Sequence, residues 1–319
     1  MRCRTTASAR LARRAGVTLI ELLVVMAIIA TLASLVVGAV FTLRESQMKS
    51  FSETTIQKLA SSLDQQWKAV LDQARSDTVP GWAVNMAGGD LRRARAIYMK
   101  GRLAQEFPMT FAKAINPGGA VVSVANLQPK PTYLAACSGV TPNAAWESSA
   151  LLYLALSQGR AGMSAASGLD DIIEPTALQT VTAGGKQFRI LVDAWGNPLR
   201  FYNFPTANVE LNQPPYVNLD ITNFPLNGRD PVDPEGTLYS PNWAAVTSPN
   251  LRGLFQATFH ALNPVDQRPT ASYLIPVIAS AGKDGFWGID ATTMAISDPD
   301  QAGDNLYSYR LRRSGARGD

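Results

Sequence analysis

From Leu22 to Leu43 the chain carries no charged residue, a run long enough to cross a bilayer as a helix at ~1.5 Å per residue. After Arg44 the pattern turns amphipathic. Met48, Phe51, Ile56, Leu59, Leu63, Trp67, Val70 and Leu71 recur at mostly three- and four-residue intervals, with Lys49, Glu53, Gln57, Lys58, Asp64 and Lys68 between them. No proline precedes Pro80, so the pattern predicts one helix from about Val17 to about Ser76, stopping before Pro80-Gly81. Such a helix is on the order of 90 Å long, more than an anchor needs. Its apolar spacing is not a clean heptad, so its second half is expected to pack on a body rather than in a coiled coil.

The remainder divides by pattern. Residues 82–183 read as mostly helical: Asp90 is placed to cap a helix over 90–107, and Asn143 one over 144–158 that ends at Gly159. Between them, 115–136 is turn-rich. From Gln187 the character changes. Residues 188–192 and 199–202 look like strands flanking Trp195-Gly196-Asn197-Pro198, which predicts a hairpin. Seven prolines in 205–241 predict a long surface excursion. A helix around 251–262 and strands at 273–279 and 306–312 complete the expectation.

With 46% hydrophobic and 17% charged residues, the chain has the apolar content for a proper core, and disorder is excluded. The formal charge of +4 suggests nucleic acid until its location is read. Arg2, Arg4, Arg10, Arg13 and Arg14 all precede Gly16 with no acidic residue among them. Without them 24 basic residues face 25 acidic ones, so the body offers no basic groove and no nucleic-acid partner is expected. Five arginines before an apolar helix predict a cytoplasmic N-terminus and an exported body.

Candidate chemistry is sparse. Cys3 lies in the basic segment and Cys137 is the body's only thiol, so cysteine-based zinc is excluded. His260 is the single histidine. Nucleophile-elbow, phosphate-loop, dinucleotide and H-E-x-x-H patterns are all missing, so the chain is not expected to be an enzyme.

One motif is informative. Gly16-Val17-Thr18-Leu19-Ile20-Glu21-Leu22-Leu23 places a carboxylate at the mouth of an apolar run, where it is costly in lipid unless partnered. With the basic leader before it, this stretch resembles the signal of type IV pilins and of the pseudopilins of type II secretion systems. The resemblance implies that a prepilin peptidase cuts between Gly16 and Val17, that the helix is retained, and that the new N-terminus is methylated. Val17 stands where the family usually has phenylalanine. Glu21, fifth after the cut, would pair with the α-amino group of a neighbouring subunit during assembly.

Two C-terminal pieces extend the resemblance. Asp193-Ala194-Trp195-Gly196-Asn197-Pro198 is similar to a turn of major pseudopilins. Ser280–Gly285 with Gly303–Ser308 is similar to their calcium loop. That likeness implies a calcium site drawing on Asp284, Asp304, Asp290, Asn305 and Ser308, with Asp298 and Asp300 adding carboxylates nearby.

The expectation is therefore an α+β, pilin-like fold, a long N-terminal helix packed on a small antiparallel sheet with extra helices inserted. Residues 1–16 would be a leader, 17–43 a membrane or filament-core helix, and 44–319 an exported body. Within the body, 82–183 would be a mainly helical insertion and 187–312 the sheet region. The implied function is structural, as a subunit of a type II secretion pseudopilus or related filament. Prepilin peptidase, other copies, other pseudopilins and an inner-membrane assembly platform would be its partners. The alternative is an exported binding protein, anchored in the inner membrane, that never polymerises and uses the proline-rich excursion with Trp82, Trp146, Trp243 and Trp287.

Overall fold

The computed structural model describes residues 18–119, 127–159, 169–212, 230–239, 243, 251–259 and 274–315. It divides into two compact units, Met1–Gln47 and Met48–Asp319. Helix α1 spans Leu19–Ser76. In the first unit its large apolar side chains, Leu19 through Leu43, are between 51% and 79% exposed, so this stretch contributes nothing to a core. It is also long and apolar enough to cross a membrane.

In the second unit α1 buries Ile56, Leu59, Leu63, Trp67, Val70, Leu71 and Ala74. The expected stripe is thus the core face. The Trp67 ring lies 5.1 Å from Phe107 and 6.1 Å from Phe204, centroid to centroid. Ser52, Thr55 and Gln66 are buried on the same face, and two of them act as ties. Gln66 Nε2 donates to Leu156 O at 2.8 Å, and Ser52 Oγ accepts from Ala194 N at 3.0 Å.

Helices α2 (Gly81–Met86), α3 (Leu91–Glu106), α4 (Phe111–Ile115), α5 (Pro131–Cys137), α6 (Glu147–Leu156) and α7 (Leu169–Ile172) follow. Asp90 caps α3 as expected, accepting from Arg92 N at 2.9 Å and Arg93 N at 3.1 Å. The second expected cap is corrected. Asn143 Oδ1 accepts from Ala145 N within a preceding turn, and α6 begins only after Trp146. The stretch read as turn-rich contains α5, which starts on a proline at its first position, where the missing N–H costs nothing.

The sheet region departs from expectation at several points, the first being that its opening strand lies inside the expected helical insertion, 82–183. Strand β1 (Leu178–Ala183) pairs antiparallel with β2 (Lys186–Leu191) across Gly184-Gly185, whose φ values of 57° and 73° suit a two-residue hairpin turn. Strand β3 (Arg200–Tyr202) pairs instead with β4 (Val277–Ser280), and β4 with β5 (Leu306–Tyr307). The hairpin expected across Trp195–Pro198 is therefore reduced to its turn end: the antiparallel Val192–Pro198 bridge with the Asp193 N to Asn197 O and Leu199 N to Leu191 O bonds, beyond which β2 and β3 form no ladder. Two adjacent serines of α6 bond the backbone of these strands. Ser149 Oγ bonds both N and O of Leu191, each at 2.7 Å, and Ser148 Oγ bonds N and O of Phe201 at 2.8 and 2.9 Å. The strand expected over 306–312 is only two residues long, because Ser308–Gly315 forms helix α9; α8 is Leu251–Thr258. A long helix, small antiparallel sheets and added helices make an α+β, pilin-like architecture.

Candidate functional site

Gly16 and Val17 lie outside the described residues. Thr18 and Glu21 lie within them and form a reciprocal cap on α1. Glu21 Oε2 accepts from Thr18 N at 2.8 Å and from Thr18 Oγ1 at 3.0 Å, while Thr18 Oγ1 accepts from Glu21 N at 3.3 Å. The first helical bond, Leu22 N to Thr18 O, follows at 3.1 Å. Free N–H groups at a helix start are expensive in hydrocarbon, and this cap satisfies two of them with side chains the chain already carries. The Thr-x-x-Glu spacing was legible in the sequence, although Glu21 was read there only as an assembly group.

A second constellation sits where the Asp193–Pro198 turn meets the loop after β4. Asp193 is 2% exposed. Its Oδ1 accepts from Trp195 N at 2.9 Å and Asn197 N at 2.8 Å, and its Oδ2 accepts from Ser280 Oγ at 2.7 Å. Burial raises the Asp193 pKa above the ordinary carboxylate value, against the pull of these hydrogen bonds. Asn197 Nδ2 donates to Gly282 O at 2.9 Å, and the next peptide of the turn, Ala194 N, reaches Ser52 on α1. One turn, built on the buried Asp193 carboxyl, thus fastens α1 to the end of the β3–β4–β5 sheet.

The five residues of the expected calcium loop are only partly brought together. Asp304 Oδ2 accepts from Lys283 N at 2.8 Å and Asp284 N at 3.2 Å. A Cβ on Gly282 (φ +70°) would fall 2.6 Å from that carboxyl, so the carboxyl needs glycine there. Asp284 Oδ1 accepts from Phe286 N within its own turn. Asp290 caps a separate turn, accepting from Thr293 N at 2.7 Å and Thr292 N at 3.0 Å. Burial alone would raise the Asp290 pKa, but the bonds from Thr293 and Thr292 outweigh it and the net shift is downward. Ser308 Oγ accepts from Ile278 N, which ties it to β4. Asn305 Nδ2 donates to Trp287 O and Tyr307 OH, while its buried Oδ1 has no hydrogen-bond partner among the described residues. Among the described residues no group of three or more His, Cys, Asp or Glu side chains could hold a metal.

Other candidates are placed as well. Cys137 is buried, and burial pushes its thiol up to about 11, so it is no nucleophile at neutral pH. His260 lies outside the described residues. Trp243 is 1% exposed, and Trp82, Trp146 and Trp287 pack partly buried against the core. Trp146 contacts Phe111 and Phe188, and Trp82 contacts Tyr98 and Phe259.

A family model of the prokaryotic N-terminal methylation motif matches residues 11–37. The chain therefore carries a type IV pilin-like prepilin signal, the substrate of a prepilin peptidase, on its one helix apolar enough to span a membrane among the described residues. Among curated proteins and among solved structures, nothing matches the chain.

Proposed function

We propose that this chain is a structural subunit of a type II secretion pseudopilus or a related type IV filament, cut between Gly16 and Val17 and polymerised through its N-terminal helix. The observation that carries the reading is α1 itself. Its first stretch is uncharged from Leu22 to Leu43, exposed, and capped at Thr18–Glu21, one residue after the cut. Its later stretch is built into the core of the body. A plain anchor needs no helix that goes on to form part of the core of the body, and α1 does both.

In this reading Glu21 has two successive partners. In the lone subunit its carboxylate closes the cap with Thr18. In the filament the same carboxylate, already held at the helix start, faces the α-amino group of a neighbour, and pairing relieves the cost of two charges in hydrocarbon. Inner-membrane insertion with the body exported, an assembly platform and companion pseudopilins belong to the same proposal.

The test is fractionation of mature protein whose mass matches residues 17–319. Recovery in sheared filaments, lost in Glu21→Leu although that variant is still inserted and cut, supports the reading. Recovery only in membranes supports the non-polymerising binding protein, and a mature form starting well inside the apolar run overturns the signal assignment.

A further inference from the structure

Lys100 lies on the buried face of α3, and Asp230 opens the segment that leads to Tyr239. Both side chains are 0% exposed. Lys100 Nζ is in direct contact with Asp230 Oδ2. The Phe204 ring covers the nitrogen, 4.6 Å from its centroid, and Val232 N donates to Asp230 Oδ1 at 2.9 Å, which fixes the plane of the carboxyl. The pairs Lys130–Glu106 and Arg310–Glu210 differ, since each keeps a partly exposed cation.

A dry ion pair recovers its desolvation cost poorly. Transfer of one proton from Nζ to the carboxylate leaves an amine against a carboxylic acid, with no charge to bury. Burial drives the Asp230 carboxyl toward the protonated form, opposed by Lys100 and helped by the negative charge of Asp233. An amine and an acid held in contact, screened from solvent and oriented by a neighbouring peptide, are the reactants of an amide.

We infer that Lys100 and Asp230 are the two ends of an intramolecular isopeptide bond. Nζ attacks Cγ of Asp230 and the N–C bond forms. An amine proton passes to the departing oxygen, the C–O bond breaks, and one water leaves. Amine plus acid gives amide plus water, so no oxidant, reductant or second substrate is required. The product retains an N–H donor and removes two buried charges. It joins residues 130 positions apart, fastening α3 to a segment otherwise held by Arg92–Glu235 and by Arg93 Nε to Thr237 O. The inference does not depend on polymerisation.

Intact mass of the full chain extracted from membranes, followed by tryptic mapping, tests it. The expected result is a mass one water below the processed sequence, no cleavage after Lys100, and a branched peptide joining the Lys100 and Asp230 segments. Lys100→Met should restore the full mass. Full wild-type mass with normal cleavage after Lys100 overturns the bond. So does a one-water deficit that persists in Lys100→Met and maps elsewhere, for example to a succinimide at Asp284-Gly285.

Discussion

Along Leu19–Leu43 every large apolar side chain of α1 is more than half exposed, whereas along Ser52–Ala74 the same helix buries one face against the body. Both stretches are regular helix, so local propensity does not separate them. The first is uncharged and predominantly apolar on every side, and suits a surrounding of uniform low polarity, lipid or like helices. The second is apolar on one side, and its buried side also carries Ser52, Thr55 and Gln66. In the body, where strand ends and loop peptides are near, buried polar groups become specific ties. In hydrocarbon a polar side chain must find its partner within its own turn. Thr31 and Ser34 do so, donating to Ile28 O at 2.9 Å and Thr31 O at 2.8 Å.

A charge is the sharpest way to break this comparison. Val36→Lys should cost about 2.5–3.5 kcal/mol of insertion free energy, seen as loss of the protein from the membrane fraction. Gln57→Lys, on the exposed side of the second stretch, should leave both insertion and melting unchanged. A truncation reverses the ranking. Leu63→Ala removes a fully buried side chain and should cost about 2–5 kcal/mol in denaturant titration of the detergent-solubilised chain, while Leu35→Ala should leave that titration where it was.

The turn at Asp193 gives a smaller, pH-dependent effect. Burial raises its folded pKa above the unfolded value. The fold therefore holds a proton that the unfolded chain has already released, and this contribution, full below the unfolded pKa, is lost as pH rises through the folded one. Melting of Asp193→Asn against wild type should show the variant gaining relative stability as pH rises out of the carboxylate range. A pH-independent difference would sink the assignment.

Smallest is the effect expected at the loop after β4. Asp304→Ala removes the acceptor of Lys283 N and Asp284 N and should lower the melting midpoint by an amount corresponding to about 1–3 kcal/mol, in chelator and in calcium alike. A midpoint that calcium raises in wild type, but not in Asp284→Ala with Asp304→Ala, would instead place the ion on those carboxylates.

The two turns of the sheet region show where reading from sequence reached its limit. Trp195–Pro198 has turn chemistry and strand-like flanks, and the chain does turn back there, closed by Asp193 N to Asn197 O and Leu199 N to Leu191 O, yet the ladders of its flanking strands run to β1 and β4. Gly184-Gly185 is the real hairpin turn and was legible as one. Its strand β1, half exposed with Thr180 and Thr182, offers little apolar alternation against a helical neighbourhood, so the side-chain pattern does not mark it. Lys100 gave no signal at all. A lysine in an amphipathic helix reads as solvated until a partner 130 residues away is brought to it.

By itself, then, the sequence determined what depends on neighbours along the chain: the prepilin signal, the extent of α1, its apolar and amphipathic stretches, the Asp90 cap, and the Thr18–Glu21 spacing. These are set by contacts within a few residues, where periodicity and capping rules act. Only the tertiary structure decided strand partners, the role of Ser148 and Ser149 at the strand ends, the junction of Ser52 with the Asp193 turn, and the burial of Lys100 with Asp230. Each of these needs groups distant in sequence to share one small, dry volume, and the free energy that selects them is the cost of leaving a polar group there without its partner.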